Sequence, residues 1–264
     1  MQRPGVRQTV SSLLRIESIM ENIKAKAGIY SSLITGTGSQ LFFVIFLFWG
    51  PSGIFDFHFD LTRLLLFDAG LSLLFFLQHS ILVRKSVRSR LSKIIPEIYY
   101  GAFYSITSGL ALIIMLIFWQ PAQYTIIAAS SDVSYWALRV IFILCIAGFY
   151  WGIRSLDSFD PLGISTIKRH IYMKKQKQMP MTVRGAYRWM RHPLYFFLIL
   201  MIWSYPYLTP DRFLFNILWT IWMITGTVME ERDLVSSFGD QYRKYREKVP
   251  MIIPYRIPRN SDKF

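Results

Sequence analysis

A histidine set between an arginine and a proline, with a tyrosine three residues on, makes a compact group of reactive side chains: Arg191-His192-Pro193-Leu194-Tyr195. Further along stand two adjacent carboxylates, Glu230-Glu231, and then Phe238-Gly239-Asp240-Gln241-Tyr242. An imidazole, a phenol, guanidinium groups and paired carboxylates brought together at a bilayer surface look like a site and make a poor scaffold. Pro193 suits the first turn of a helix, where its missing N–H would lack a partner anyway. The free N–H groups of that turn could receive a carboxylate. Glu230 and Glu231 fall where an apolar run ends. At a helix C-terminus they would oppose the dipole and need solvent or a partner. If the helix runs on through Leu234 and Phe238, they sit mid-helix, able to pair with Arg191 or Arg243 or to accept a hydrogen bond from a ligand hydroxyl or amine. The other use of these residues is an interfacial aromatic belt with snorkelling arginines and a solvated acidic pair.

The elements that must position these groups are apolar. Between His192 and Glu230 the chain is mostly hydrophobic and breaks once, near 205–212, where Pro206 and Pro210 bracket a turn. A helical hairpin returns its far end beside its start, so His192 and Glu230 should meet at one membrane face. Over all 264 residues, 53% are apolar and 17% aromatic. Apolar runs at 29–50, 64–83, 98–118, 135–152, 194–207 and 213–229 give an all-α polytopic bundle of about six spans. Residues 10–20 fit an amphipathic surface helix, and 1–26 lacks a signal-peptide cleavage pattern. The division expected is 1–152 for the first membrane helices and 153–264 for a loop, the hairpin and a C-terminal cofactor-binding segment.

The net charge of +14 lies mostly in short segments between the apolar runs, which suits anionic lipid and not nucleic acid. Basic loops (1–26, 84–93, 155–191 and 232–263) alternate with loops lacking that excess (51–60 and 120–134). The positive-inside rule then predicts both termini in the cytoplasm. The single cysteine, Cys145, lies in an apolar run, so neither a disulfide framework nor a cysteine metal site is expected, and the scattered histidines suggest no metal. No obligate protein partner is inferred.

The sequence Arg-His-Pro-x-Tyr, an apolar hairpin, Glu230-Glu231 with Leu234, then Phe238-Gly239 with Tyr242 and Tyr245, and Val249-Pro250 with Pro254, resembles the isoprenylcysteine carboxyl methyltransferase and phospholipid methyltransferase superfamily. The likeness runs from about Met179 to Pro254. It implies S-adenosyl-L-methionine as methyl donor, enclosed by the hairpin ends and the C-terminal segment. By that likeness Met179, Pro180, Met181, Thr182 and Tyr187 line the approach. His192, Pro193, Leu194 and Tyr195 form a floor, and Glu230, beside Glu231, contacts the donor. Where the family often has glycine two residues after the motif tyrosine, this chain has Phe197.

A narrower likeness reaches upstream. Phe75-Phe76-Leu77-Gln78-His79-Ser80 through Arg84, Trp119-Gln120-Pro121, Asp160-Pro161-Leu162-Gly163 and Glu230-Glu231-Arg232-Asp233-Leu234 are similar to the bacterial methanethiol S-methyltransferases. That branch implies a small thiol substrate, dimethyl sulfide as product, contact with membrane lipid and a place in a bacterial inner membrane; the alternatives are a methyltransferase acting on a phospholipid amine or a prenylated cysteine, and a non-catalytic membrane binding protein of the same fold. The isoprenylcysteine branch has an arginine one turn before its glutamate pair to meet a substrate carboxylate; here Gly226 stands there. Thiols are mostly protonated at neutral pH, so the reaction calls for a base or a positive field. His79 and Arg84 are the catalytic candidates; a buried structural histidine is the alternative for His79. Asp68, inside an apolar run, is unusual enough to need a partner or a role.

Overall fold

The computed structural model describes residues 19–156, 160–172 and 181–258. Residues 10–18 of the expected surface helix lie outside them. Within the described residues the chain is helical: α1 (Ile19–Trp49), α2 (Leu61–Val83), α3 (Lys85–Leu91), α4 (Glu97–Phe118), α5 (Asp132–Arg154), α6 (Ile164–Ile171), α7 (Pro193–Trp203), α8 (Pro210–Phe238) and α9 (Asp240–Lys248). Two short strands, β1 (Ile127–Ala128) and β2 (Tyr207–Leu208), pair antiparallel. Helices α1, α2, α4, α5 and α8 are long and apolar enough to cross a bilayer. The most apolar window of α2 is only 22% buried. Faces this greasy and this exposed need lipid around them, so the protein is an integral membrane protein.

The remaining expected span, α7, has 11 residues, a length of ~16 Å against a hydrocarbon core of ~30 Å. Extended chain supplies the rest. Pro193 and Leu194 meet Gly152 near the C-terminal end of α5, while β2 pairs with β1, just before the N-terminal end of α5. The segment from His192 to Leu208 therefore runs the length of α5. Two glycines make the pairing close. A Cβ at Gly148 would overlap the Phe197 ring, and one at Gly152 would lie 2.7 Å from Leu194 Cδ2. The glycine expected beside the motif tyrosine is thus replaced by a glycine on the facing helix. Helices in lipid associate largely by such packing of small against large residues.

The chain forms two compact units, each taking part of α1, α2 and α4. The first comprises described residues 19–42, 77–113 and 160–172. Here Asp160 accepts hydrogen bonds from the N–H groups of Ser165 and Thr166 at 3.1 and 3.0 Å and so starts α6. Ser32 donates to the Leu162 carbonyl at 2.6 Å. Gly163, with φ +68°, crosses Gly101 so closely that a Cβ on Gly101 would fall 2.8 Å from the Gly163 Cα. The Asp160–Gly163 motif is therefore a packing device.

The second unit comprises described residues 43–76, 114–156 and 181–258. At its centre Trp219 stacks on Phe43, Phe75 and Phe215, with ring centroids 4.9, 5.3 and 4.8 Å apart. The carbonyls that end α1 find unusual donors. Arg212 Nη2 donates to Phe46 O at 2.5 Å, Arg139 donates to Phe48 O, and Tyr205 donates to Trp49 O at 3.1 Å. Helix ends leave carbonyls unpaired, and a low-dielectric setting makes that costly, which gives two buried arginines a structural reason to be there.

Candidate functional site

α8 does not stop at the end of its apolar run. It continues to Phe238, where Gly239 (φ +57°) ends it and α9 begins at once. Glu230 and Glu231 therefore lie within the helix, and helical geometry turns neighbours about 100° apart. The two carboxylates do different things. Glu231 points inward, with its side chain 7% exposed. Its Oε1 accepts from Arg191 Nε at 2.5 Å and from Tyr242 OH at 3.4 Å, and lies 3.2 Å from His192 Nε2; its Oε2 pairs with Arg246 Nε at 3.2 Å. Arg191 also donates to the carbonyls of Val249 (2.5 Å) and Arg246 (3.0 Å). One buried carboxylate so ties together the start of α7, the middle of α8, and α9.

The main chain completes the clamp. Arg191 N donates to Pro250 O at 2.9 Å and His192 N to Met251 O at 3.0 Å. The Val-Pro passage after α9 thus lies along the residues that precede α7. Tyr245 OH donates to Tyr187 O at 2.6 Å, and Tyr242, Tyr245 and Val249 form a buried cluster against which Met181 packs. Burial raises the phenols of Tyr187, Tyr242 and Tyr245, so they act as neutral donors. Burial also holds the His192 imidazole below its ordinary range, a push that Arg191 assists and Glu231 opposes.

Glu230 faces the other way. Its side chain is 47% exposed, Tyr195 hydrogen-bonds it, and His192 Nδ1 lies 3.9 Å from its Oε2. One turn earlier on the same face is Gly226, where an added Cβ would meet nothing within 4 Å. The result is a half-exposed carboxylate beside a phenol and an imidazole, with open space along the helix next to it. A ligand with a primary ammonium would be well matched to it.

The structure brings together Tyr187, His192, Tyr195, Glu230 and Glu231 of the expected cofactor residues. Pro193 is buried as the first residue of α7, and Leu194 turns towards Gly152 of α5. Met181 and Thr182 lie at the edge of the described residues, while Met179 and Pro180 lie outside them. His79 belongs to the first unit, with Tyr104 OH 2.7 Å from its Nε2. Arg84 is exposed and occupies the position before α3. Of the arginines considered for the acidic pair, Arg191 is used; Arg243 instead pairs with Asp240 at 3.0 Å. Sequence reading missed Arg246 as the second cation on Glu231. The signal available was helical spacing, since Arg246 shares a face of α9 with Tyr242 at i, i+4.

The sequence model of the NnrU protein family matches residues 67–230. A methanethiol S-methyltransferase from Crocosphaera subtropica is 32% identical over 200 residues, covering 74% of this chain and 77% of that protein. A methanethiol S-methyltransferase from Pseudomonas deceptionensis is 28% identical over 195 residues, 72% of each chain. Nurim from Xenopus laevis is 27% identical over 164 residues, 59% of this chain and 57% of that protein. No solved structure matches.

Proposed function

This chain belongs to the NnrU protein family, and on that premise we propose that it is a membrane S-methyltransferase converting methanethiol to dimethyl sulfide with S-adenosylmethionine as donor. The observation that carries the reading is the pairing of relatives named for methanethiol methylation with a motif site built around one inward and one outward carboxylate. S-adenosylmethionine supplies an electrophilic methyl group on a sulfonium. The residues present fit it: Glu230 and Tyr195 suit its ammonium, the first-turn N–H groups of α7 suit its carboxylate, and Gly226 leaves room beside them.

In this reading Arg191, Glu231, Arg246 and the Val249–Met251 main chain hold the site's three segments in place. The chain must also align the acceptor, exclude water and favour the thiolate. A new S–C bond forms at the methanethiol sulfur as the sulfonium S–C bond breaks, and the thiol proton leaves to a base. We assign that role to His79, with Tyr104 fixing its ring; Arg84 is kept as a source of positive field. Gly226, in place of a carboxylate-binding arginine, suits an acceptor with nothing to ion-pair. Both termini are assigned to the cytoplasm, and the membrane to a bacterial inner membrane.

Calorimetry of S-adenosylmethionine binding to purified protein tests the donor site. Glu230→Gln keeps the shape and removes the charge, and should weaken binding by ~1.5–3 kcal/mol. Unchanged donor affinity in both Glu230→Gln and His192→Ala would remove these residues from the donor site.

A further inference from the structure

The C-terminal passage that closes the clamp also walls a cleft of about 720 Å³. Arg188 from the segment before α7, Lys248 at the end of α9, and Arg256 bring three cations to it, against one carboxylate, Glu247. Tyr255 and Ile257 line it as well, yet they are 69% and 80% exposed, and Ile253, two residues before Tyr255, is 68% exposed. Arg256 Nη1 donates to Glu247 O at 3.1 Å, which folds this passage back onto the last turn of α9. Pro250 lines the cleft and its carbonyl accepts from Arg191 N at 2.9 Å. The cleft therefore stands just outside the start of α7, where the chain passes from headgroups into hydrocarbon. His192, Tyr195, Gly226 and Glu230 do not line it, so it is separate from the open space beside Glu230.

Charge and exposure together select the occupant. Three cations against one carboxylate favour a phosphate-bearing anion, and guanidinium groups hold phosphate through paired N–H donors. The fork of Arg256 has N–H groups beyond the one it gives the Glu247 carbonyl. A soluble anion would meet the charge but leave Ile253, Tyr255 and Ile257 in water. A lipid meets both needs, with its phosphate on the cations, its chains against the isoleucines, and Tyr255 at the interface where tyrosines gather. We propose that this cleft binds the headgroup of an anionic phospholipid. A headgroup carrying its own ammonium would bring a further positive charge to the three already there, so a zwitterionic lipid is the poorer fit. The bound lipid braces the passage that lies along Arg191 and His192, and the stability of the clamp thereby depends on the lipid around it.

Native mass spectrometry of the purified full-length protein in a non-ionic detergent tests this, with phosphatidylglycerol or phosphatidylcholine of the same acyl chains added. The unmodified protein should retain one phosphatidylglycerol several-fold more strongly than phosphatidylcholine. Lys248→Gln with Arg256→Gln, both exposed in the structure, should weaken that retention by about fivefold for each charge removed. Lys85→Gln with Arg90→Gln, an equal loss of exposed charge on α3, should leave it nearly unchanged. Equal retention of the two lipids by the unmodified protein would overturn the proposal without recourse to any variant. An equal loss in both double variants would overturn it too, because the preference would then belong to basic surface in general. So would displacement of the lipid by an equal concentration of glycerol phosphate, which has the phosphate but no chains and would assign the cleft to a soluble anion.

Discussion

Arg191 Nε and Glu231 Oε1 meet at 2.5 Å with both side chains more than nine-tenths buried, joining the start of α7 to the middle of α8. Each end of this contact is further tied, Arg191 to the carbonyls of Val249 and Arg246, and Glu231 to His192, Tyr242 and Arg246. The adjacent Glu230 makes looser contacts and remains half-exposed. Two neighbouring carboxylates are thereby divided between holding the fold and meeting a ligand.

That division predicts different outcomes for matched substitutions. Glu231→Gln leaves Arg191 and Arg246 without their charge partner, and breaking a buried pair typically costs ~3–5 kcal/mol. Thermal unfolding in detergent should show a large loss for Glu231→Gln and a small one for Glu230→Gln. Equal losses would mean that the two carboxylates share one role.

The acid sensitivity of the site should follow His192. Burial, the largest influence, lowers its folded-state affinity for a proton. The folded state therefore favours neutral imidazole, whereas the unfolded chain takes up a proton near ~6.5. Stability from this residue is full above that value and is lost as pH falls below it. Melting temperatures from pH 8 to pH 5 should fall less steeply in His192→Gln than in the unmodified protein. Parallel curves would show that His192 does not contribute.

Gly148 and Phe197 form a size-matched pair, since any Cβ at 148 overlaps the ring. Gly148→Leu should destabilise by about 1–3 kcal/mol, the usual cost of overpacking. Phe197→Ala placed in the same chain should recover much of that loss. A double-mutant cycle measures the coupling; strictly additive effects would show that the two residues do not share the space.

Membrane topology has its own check. Cysteines introduced at Ser130 and Asp262 should be labelled from opposite faces of sealed vesicles, as the alternation of basic loops predicts. Labelling from the same face would reverse the assignment for the C-terminus.

The apolar helices were legible because lipid imposes long hydrophobic runs, and α2, α4, α5 and α8 all contain the stretches read from hydropathy. The hairpin was legible for the same reason, along with the meeting of His192 and Glu230 at its ends. Which glutamate faces inward was not. One residue along a helix changes the direction of a side chain by about 100°, and apolar periodicity fades where α8 leaves its hydrophobic run. The departure at Phe197 was visible, but its compensation by Gly148 was hidden, because packing between helices distant in sequence leaves no local pattern. Arg139 and Arg212 were likewise opaque: their partners are main-chain carbonyls at the end of α1, and every residue type carries the same carbonyl.

The acceptor assignment implies selection by pocket size. A methylene is worth only ~1–3 kcal/mol to a hydrophobic pocket, so ethanethiol should be methylated more slowly but not excluded. His79→Ala should lower turnover most at low pH, where the thiol is least ionised, and leave donor binding nearly unchanged. Loss of donor binding in that variant would move His79 out of the acceptor-activating role.

The most direct measurement is gas chromatography with mass detection of the headspace over membranes containing the protein, given methanethiol and S-adenosylmethionine with a deuterated methyl group. The account predicts dimethyl sulfide carrying one deuterated methyl, formed by the unmodified protein and greatly reduced in Glu230→Gln. No labelled dimethyl sulfide, with label instead transferred to an ethanolamine lipid or a prenylcysteine offered alongside, would contradict it.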